Sequence, residues 1–267
     1  MRMRGTRDAL AFGRGIARSP ASTRFFRALI ICTAMVLPPA LSARADDSSS
    51  PRFDVEVWTG ADASANAWLV YGGATIAPYG DMFCNGIRFR VANGYGEYSY
   101  EGERNTQARD FTARTSFSDV LVGYLVRFGP LTAKAFAGAT AIQHNIRPSD
   151  PDNPVSGWAF GPKAVAELWL NTGASSWTSL DASWTSAHET YAGRMRSGYR
   201  VLSNVSIGAE TRIDGNELDK DARGGLFVRY DWSGGEVSLA GGVSGRFFED
   251  ARDMTEPYAT LTWLSQF

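Results

Sequence analysis

Cysteine and histidine are nearly absent from this 267-residue chain, with two of each. That leaves too few ligands for a zinc cluster and too few thiols for a disulfide scaffold. Lysine is scarce too, at three residues. Eight arginines and one acidic residue fall within residues 1–45, so everything after them is net acidic. A nucleic-acid binder would need a basic stripe, and none is present. No long hydrophobic run occurs either. The apolar stretch from Ala28 to Leu41 is shorter than the roughly 20 residues a membrane helix needs.

That stretch has a different reading. An Arg-rich start, the apolar segment and the small-x-small site Ala43-Arg44-Ala45 predict a secretory signal peptide over residues 1–45. Ile31 precedes Cys32, where a lipoprotein signal would carry a small residue, so lipidation is not expected. Cleavage after Ala45 leaves Cys84 alone, and a lone Cys forms no internal disulfide. Residues 46–267 are expected to form one barrel domain.

What the remainder has in abundance is alternation with period two. Val120, Val122, Tyr124, Val126 and Phe128 share one face, with Leu121, Gly123, Leu125 and Arg127 on the other. Leu226, Val228, Tyr230 and Trp232 alternate with Phe227, Arg229 and Asp231. Twelve such segments are predicted, near 52–61, 66–77, 86–99, 116–128, 131–145, 158–171, 177–187, 190–202, 205–213, 222–232, 236–246 and 257–267. The register is least defined at 66–77 and 131–145, where Ala and Gly leave both faces alike.

The linkers sort into two sets. Short turns fall at Gly129-Pro130, Ser203-Asn204 and 233–235, and longer, often acidic loops at 100–115, 147–154, 214–221 and 247–256. Segment 78–85 is a long exception on the short side. This layout predicts an all-β, antiparallel up-and-down transmembrane β-barrel in the outer membrane. Alternation alone separates faces without saying which one meets lipid. Three features decide it. Phe267 ends the chain with Trp263 and Leu261 on its face, as an outer-membrane sorting signal would. Aromatics gather near segment ends, at Trp68, Phe128, Trp158, Trp177, Trp184, Tyr191, Trp232 and Tyr258, as interfacial girdles do. Gly recurs inside strands, where it suits curvature and close lumen packing.

An Arg or Lys facing lipid near midplane costs about 2–4 kcal/mol, so the charged face must turn inward. The expected lumen cluster contains Arg88, Arg90, Arg127, Lys163, Glu167, Arg194, Arg196, Arg200, Glu210, Arg212, Arg229 and Asp231. Lys134, Asp54, Glu56 and Asp181 share that face. Ion pairs filling a narrow barrel are the plainer reading of this cluster, and a transport path the bolder one. Trp58, Tyr98, Tyr100 and Trp169 also face inward and could stack on the rings of a neutral glucan, or simply pack the lumen. Ser186 and His188, at i and i+2, could make a nucleophile–base pair at the rim, although that spacing puts them on the lipid face with Trp184. The run Asp214–Asp221 lacks EF-hand spacing. No metal and no cofactor are expected.

An ordered series of short motifs now adds a family. Thr59-Gly-Ala-Asp62, Gly86-Ile-Arg-Phe-Arg90, Gly94-Tyr-Gly-Glu-Tyr-Ser-Tyr100 and Val122-Gly-Tyr124 come first. Asp150–Gly157, Gly161-Pro-Lys-Ala164 and Glu167 follow, then Ser183-Trp-Thr-Ser-Ala-His-Glu-Thr-Tyr191, Arg194-Met-Arg196, Gly198-Tyr-Arg200 and Ile207-Gly-Ala-Glu210. From about Val57 to Phe267 the chain resembles the cellulose biosynthesis protein BcsS family. It departs from the family pattern in having Trp184-Thr-Ser-Ala187 for Tyr-Ser-Thr-Ala, and Ala209 for Pro. The resemblance implies a pathway and a compartment: an outer-membrane accessory barrel of cellulose synthesis or export. Its partners would be outer-membrane lipid and cellulose or cellulose-synthase subunits. It transfers no catalytic residue. A small general porin or structural barrel is the alternative, and a rim esterase or deacylase the third.

Overall fold

The computed structural model describes residues 54–104, 107–151, 153–245 and 256–267. The expected leader, with Ala43 and Ala45, lies outside these. Twelve strands follow in order: β1 Val55–Ser64, β2 Ala67–Ile76, β3 Gly86–Arg104, β4 Gln107–Phe128, β5 Leu131–Arg147 and β6 Gly157–Asn171, then β7 Ser176–Thr185, β8 Tyr191–Leu202, β9 Val205–Gly215, β10 Lys220–Trp232, β11 Gly235–Gly245 and β12 Glu256–Gln266. Each pairs with its sequence neighbours, and β1 pairs antiparallel with β12 from Glu56↔Gln266 to Ser64↔Tyr258. The ladder therefore closes on itself. Closure satisfies every strand's backbone N–H and C=O without water, which a bilayer demands.

The apolar residues face outward. Val122, Val228 and Leu239 are 50%, 43% and 51% exposed, while Arg90 and Arg196 are 7% exposed. A water-soluble barrel would show the reverse. The fold is that of an outer-membrane barrel, greasy outside and charged within. Both ends of the described chain, Asp54 and Phe267, meet beside the two-residue turns 129–130, 203–204 and 233–234. Short turns mark the periplasmic end.

Three expectations need correction. Segment 100–115 is no loop: β3 and β4 continue pairing from Gly86↔Leu125 out to Arg104↔Gln107. The extension holds because Tyr98, Tyr100, Phe111, Ala113 and Ile146 pack on its inner side. Second, Trp177 and Tyr258 are not girdle residues. Both are buried inside. The Trp177 ring lies over Gly198, where an added Cβ would come within 2.6 Å of it. Tyr258 donates its hydroxyl to Glu210 at 3.0 Å. Third, the acidic loop after β9 shrinks to residues 216–219, because Asp214 and Asp221 belong to strands.

The long periplasmic connection between β2 and β3 also finds its cause. It turns inward, burying Ala77 and Met82. Arg88, fully buried, holds it by donating to the carbonyls of Ile87 and Asp81 at 2.9 Å and of Cys84.

Candidate functional site

Inward side chains surround a cavity of about 1800 Å³, lined from Phe83 and Arg127 at the periplasmic end to Tyr100 and Asp110 at the outer end. Its defining feature is a row of charges in register. Lys134, Glu167, Asp181, Arg194, Arg212 and Arg223 are successive cross-strand partners from β5 to β10. Opposite charges in such a row stabilise neighbours, and like charges need acids from elsewhere. One acid comes from three and four strands away around the ring, and two from the arginines' own strands. Asp62 on β1 accepts from both Arg212 and Arg223. Arg212 also holds Asp214 at 2.7 Å, and Arg223 holds Asp221 at 3.0 Å.

A second crossing joins β1 to β5, four strands away around the ring. Lys134 lies 3.4 Å from Glu56 and 3.5 Å from Glu167, and Arg90 on β3 pairs with Glu167. Elsewhere Lys163 binds Asp119 at 2.6 Å, Arg194 binds Asp181 at 3.0 Å and Arg229 binds Glu236 at 2.5 Å. These last three join adjacent or next-but-one strands and line the wall, whereas the Asp62, Lys134–Glu56 and Arg90–Glu167 contacts reach three or four strands around the ring.

The expected cluster is thus only partly assembled. Arg90, Lys163, Glu167, Arg194, Arg212 and Arg229 enter the bridges. Arg196 and Glu210 are cross-strand partners but form no ion pair: Glu210 takes Tyr258, and Arg196 sits 5.6 Å from the Phe227 ring centre. Asp231 faces inward at the periplasmic end, with Oδ1 buried and unpartnered. Two members leave the cluster. Arg88 is the latch of the β2–β3 turn. Arg200 keeps the inward register but is exposed at the periplasmic rim, because β8 ends two residues later. Arg127 is exposed there too, its guanidinium 5.0 Å from the Phe83 ring.

The aromatics divide between the two ends. Near the outer end Tyr98, Tyr100 and Phe111 stack in series. Tyr98 shares a 3.1 Å hydrogen bond with His144, and Tyr100 donates to Asp150 at 2.7 Å. Towards the periplasm Trp58 packs on Tyr71 and over Gly73, and Trp169 stacks on Trp177 at 4.2 Å. Ion pairs lie between the two groups, so the four aromatics form no continuous track.

Ser186 and His188 do not share a strand face as expected. β7 ends at Thr185, and a single 3-10 turn, Ala187–Glu189, follows. Ser186 stays exposed, while His188, at φ 52°, turns inward against the His144 ring. Among the described residues no hydrogen bond joins Ser186 to His188. Burial holds the His188 imidazole below its usual value, opposed by the Glu217 carboxylate. Also among these residues, no group of three or more His, Cys, Asp or Glu could hold a metal. Phe267 caps β1 through its backbone, donating to the Val55 carbonyl at 2.8 Å, and is 46% exposed.

Sequence reasoning missed Asp62 and Arg223 as the centre of one crossing, and Tyr71, Trp177 and Tyr258 as lumen residues. Asp62 and Arg223 were readable as inward, but their meeting depends on barrel closure. Nothing in a linear sequence sets that.

The model of the cellulose biosynthesis protein BcsS family matches residues 56–267. No curated protein matches the chain. Solved structures similar in shape include the KdgM porin, at 10% identity and a TM-score of 0.43, covering 79% of this chain and 99% of that one. The transport unit of the autotransporter AIDA-I from Escherichia coli is 10% identical with a TM-score of 0.46, covering 94% and 100%. Outer membrane phospholipase A from Escherichia coli is 10% identical with a TM-score of 0.39, covering 80% and 93%. At these levels none bears on function.

Proposed function

The chain belongs to the cellulose biosynthesis protein BcsS family, and from that premise we propose that it is a non-catalytic accessory barrel which assists cellulose assembly at the outer membrane. The observation that carries this is the bridged lumen. Asp62 ties β1 to β9 and β10, and Lys134 ties β5 to β1. A barrel built as a wide conduit would keep its charges along the wall. Here Asp62, Glu56 and Glu167 reach bases three or four strands away around the ring, which favours a rigid assembly factor over an open general porin. Absence of catalysis is our reading of the rim, where Ser186 and His188 diverge.

Deleting the gene and restoring it on a plasmid tests the pathway. Congo-red-binding polymer at the cell surface should fall on deletion and return on complementation. Unchanged polymer would overturn the proposal. Conductance of the refolded barrel in planar bilayers tests the lumen. Small or no steps are expected, and large ohmic steps would restore the porin reading.

A further inference from the structure

Trp169, Ser179 and Arg196 are successive cross-strand partners on β6, β7 and β8, and all three line the lumen cavity in its periplasmic part. Trp177 covers one face of Trp169, at 4.2 Å between ring centres and 18° between planes. The Arg229 guanidinium carbon is 4.7 Å from the Trp169 centre and 5.3 Å from the Trp177 centre. Those three separations place it beside the stacked pair, not on top of Trp169. Trp169 lines the cavity and Trp177 does not, so the uncovered face of Trp169 is the one turned to the lumen.

The next two residues in the row carry buried donors without acceptors. Ser179 Oγ and Arg196 Nε have no hydrogen-bond partner, and the two residues are 5% and 7% exposed. Buried polar groups are ordinarily satisfied, and leaving one unmet is costly. An acceptor is missing from this ledge. Its charge can be reasoned. Arg194 is paired with Asp181 and Arg229 with Glu236, while Arg196 forms no ion pair and has the Glu210 carboxylate as its cross-strand neighbour. Three guanidiniums and three carboxylates therefore surround the ledge, and a neutral oxygen can meet its donors without unbalancing that count. A flat aromatic face beside two donors suits a molecule with an apolar ring face and oxygen-bearing edges.

We infer that Trp169, Ser179 and Arg196 form a saccharide subsite that takes a neutral pyranose unit: the ring stacks on Trp169 and its oxygens accept from Ser179 and Arg196. That the sugar is a β-linked glucan rests on the cellulose reading above. Trp58 and the Tyr98–Tyr100 stack are separate from this ledge.

Isothermal titration calorimetry of the refolded barrel tests it, with cellotetraose, tetragalacturonate and inorganic phosphate as three probes. Cellotetraose should bind saturably. Ser179→Ala and Trp169→Ala should each weaken it about tenfold, the magnitude expected for one hydrogen bond or one stacking interaction. Ser179→Ala removes only a hydroxyl, so it remains informative if Trp169→Ala fails to fold. No cellotetraose binding, equal binding by the variants, or binding of phosphate or tetragalacturonate alone would overturn the subsite. The two proposals fail separately. Cellulose that depends on the gene without cellotetraose binding removes the subsite alone. Binding without such dependence removes the pathway alone.

Discussion

Replacing Asp62 by Asn probes the lumen crossing most sharply. Asp62 is 6% exposed and accepts from two guanidiniums carried by β9 and β10, four and three strands away around the ring. Removing one partner of a buried ion pair costs about 3–5 kcal/mol, chiefly because the other charge stays buried and unmatched. Here Arg212 keeps Asp214 and Arg223 keeps Asp221. The destabilisation should therefore sit at the low end, about 3 kcal/mol. With a urea slope of about 1–3 kcal/mol/M, the unfolding midpoint should fall by at least about 1 M. Unfolding of the refolded barrel in lipid vesicles, followed by tryptophan fluorescence, measures it. A double-mutant cycle with Arg212→Gln isolates the pair, since residues in direct contact couple by about 0.5–3 kcal/mol. The same variant should raise single-channel conductance, because a crossing strut loses its charge. A destabilisation under about 0.5 kcal/mol, with additive behaviour against Arg212→Gln, would refute the crossing.

Three further outcomes follow from the geometry. Gly198→Ala places a Cβ 2.6 Å from the Trp177 ring; overpacking should cost about 1–3 kcal/mol and change the near-ultraviolet circular dichroism of the Trp169–Trp177 stack. The His188 imidazole is held below 6.5 in the folded barrel, so the folded state binds fewer protons than the unfolded one. Its contribution to stability is complete above 6.5 and is lost as pH falls below that value. Amide exchange across Ser186–Thr190 should speed up in acid beyond its intrinsic change. His188→Asn, which tolerates the positive φ, should remove the effect. On the outer face, Val122→Arg should cost about 2–4 kcal/mol in a bilayer, read as a lower unfolding midpoint in vesicles.

Much of the architecture was legible because one physical rule governs it. Period-two alternation gave Val120–Phe128 and Leu226–Trp232 their faces, and the bilayer fixed which face is greasy. The rule fades where side chains are small. In β2 and β5 the Ala and Gly residues hide the register, so Tyr71 was not recognised as a lumen residue. It also fades where a rule about aromatics competes with one about close packing. Trp177 and Tyr258 look like girdle residues from their place near strand ends, yet Gly198 opens room for one and Glu210 holds the other. Acidic composition suggested a loop at 214–221, but Arg212 and Arg223, each two residues away on the same strand, hold Asp214 and Asp221 in the wall. The inward set was readable in outline; which acid meets which base was not, because Asp62 reaches Arg212 only through a closed ring.

Site-directed fluorescence quenching addresses the central claim, that the apolar face meets lipid. In a Cys84→Ser background, which removes the exposed free thiol, single cysteines at Val122, Val228 and Leu239 would be labelled with bimane and the barrel reconstituted in vesicles. Doxyl groups on the acyl chains should quench these three strongly and leave a label at Ser179 bright. Strong quenching at Ser179 with none at Val122, Val228 and Leu239 would contradict the account.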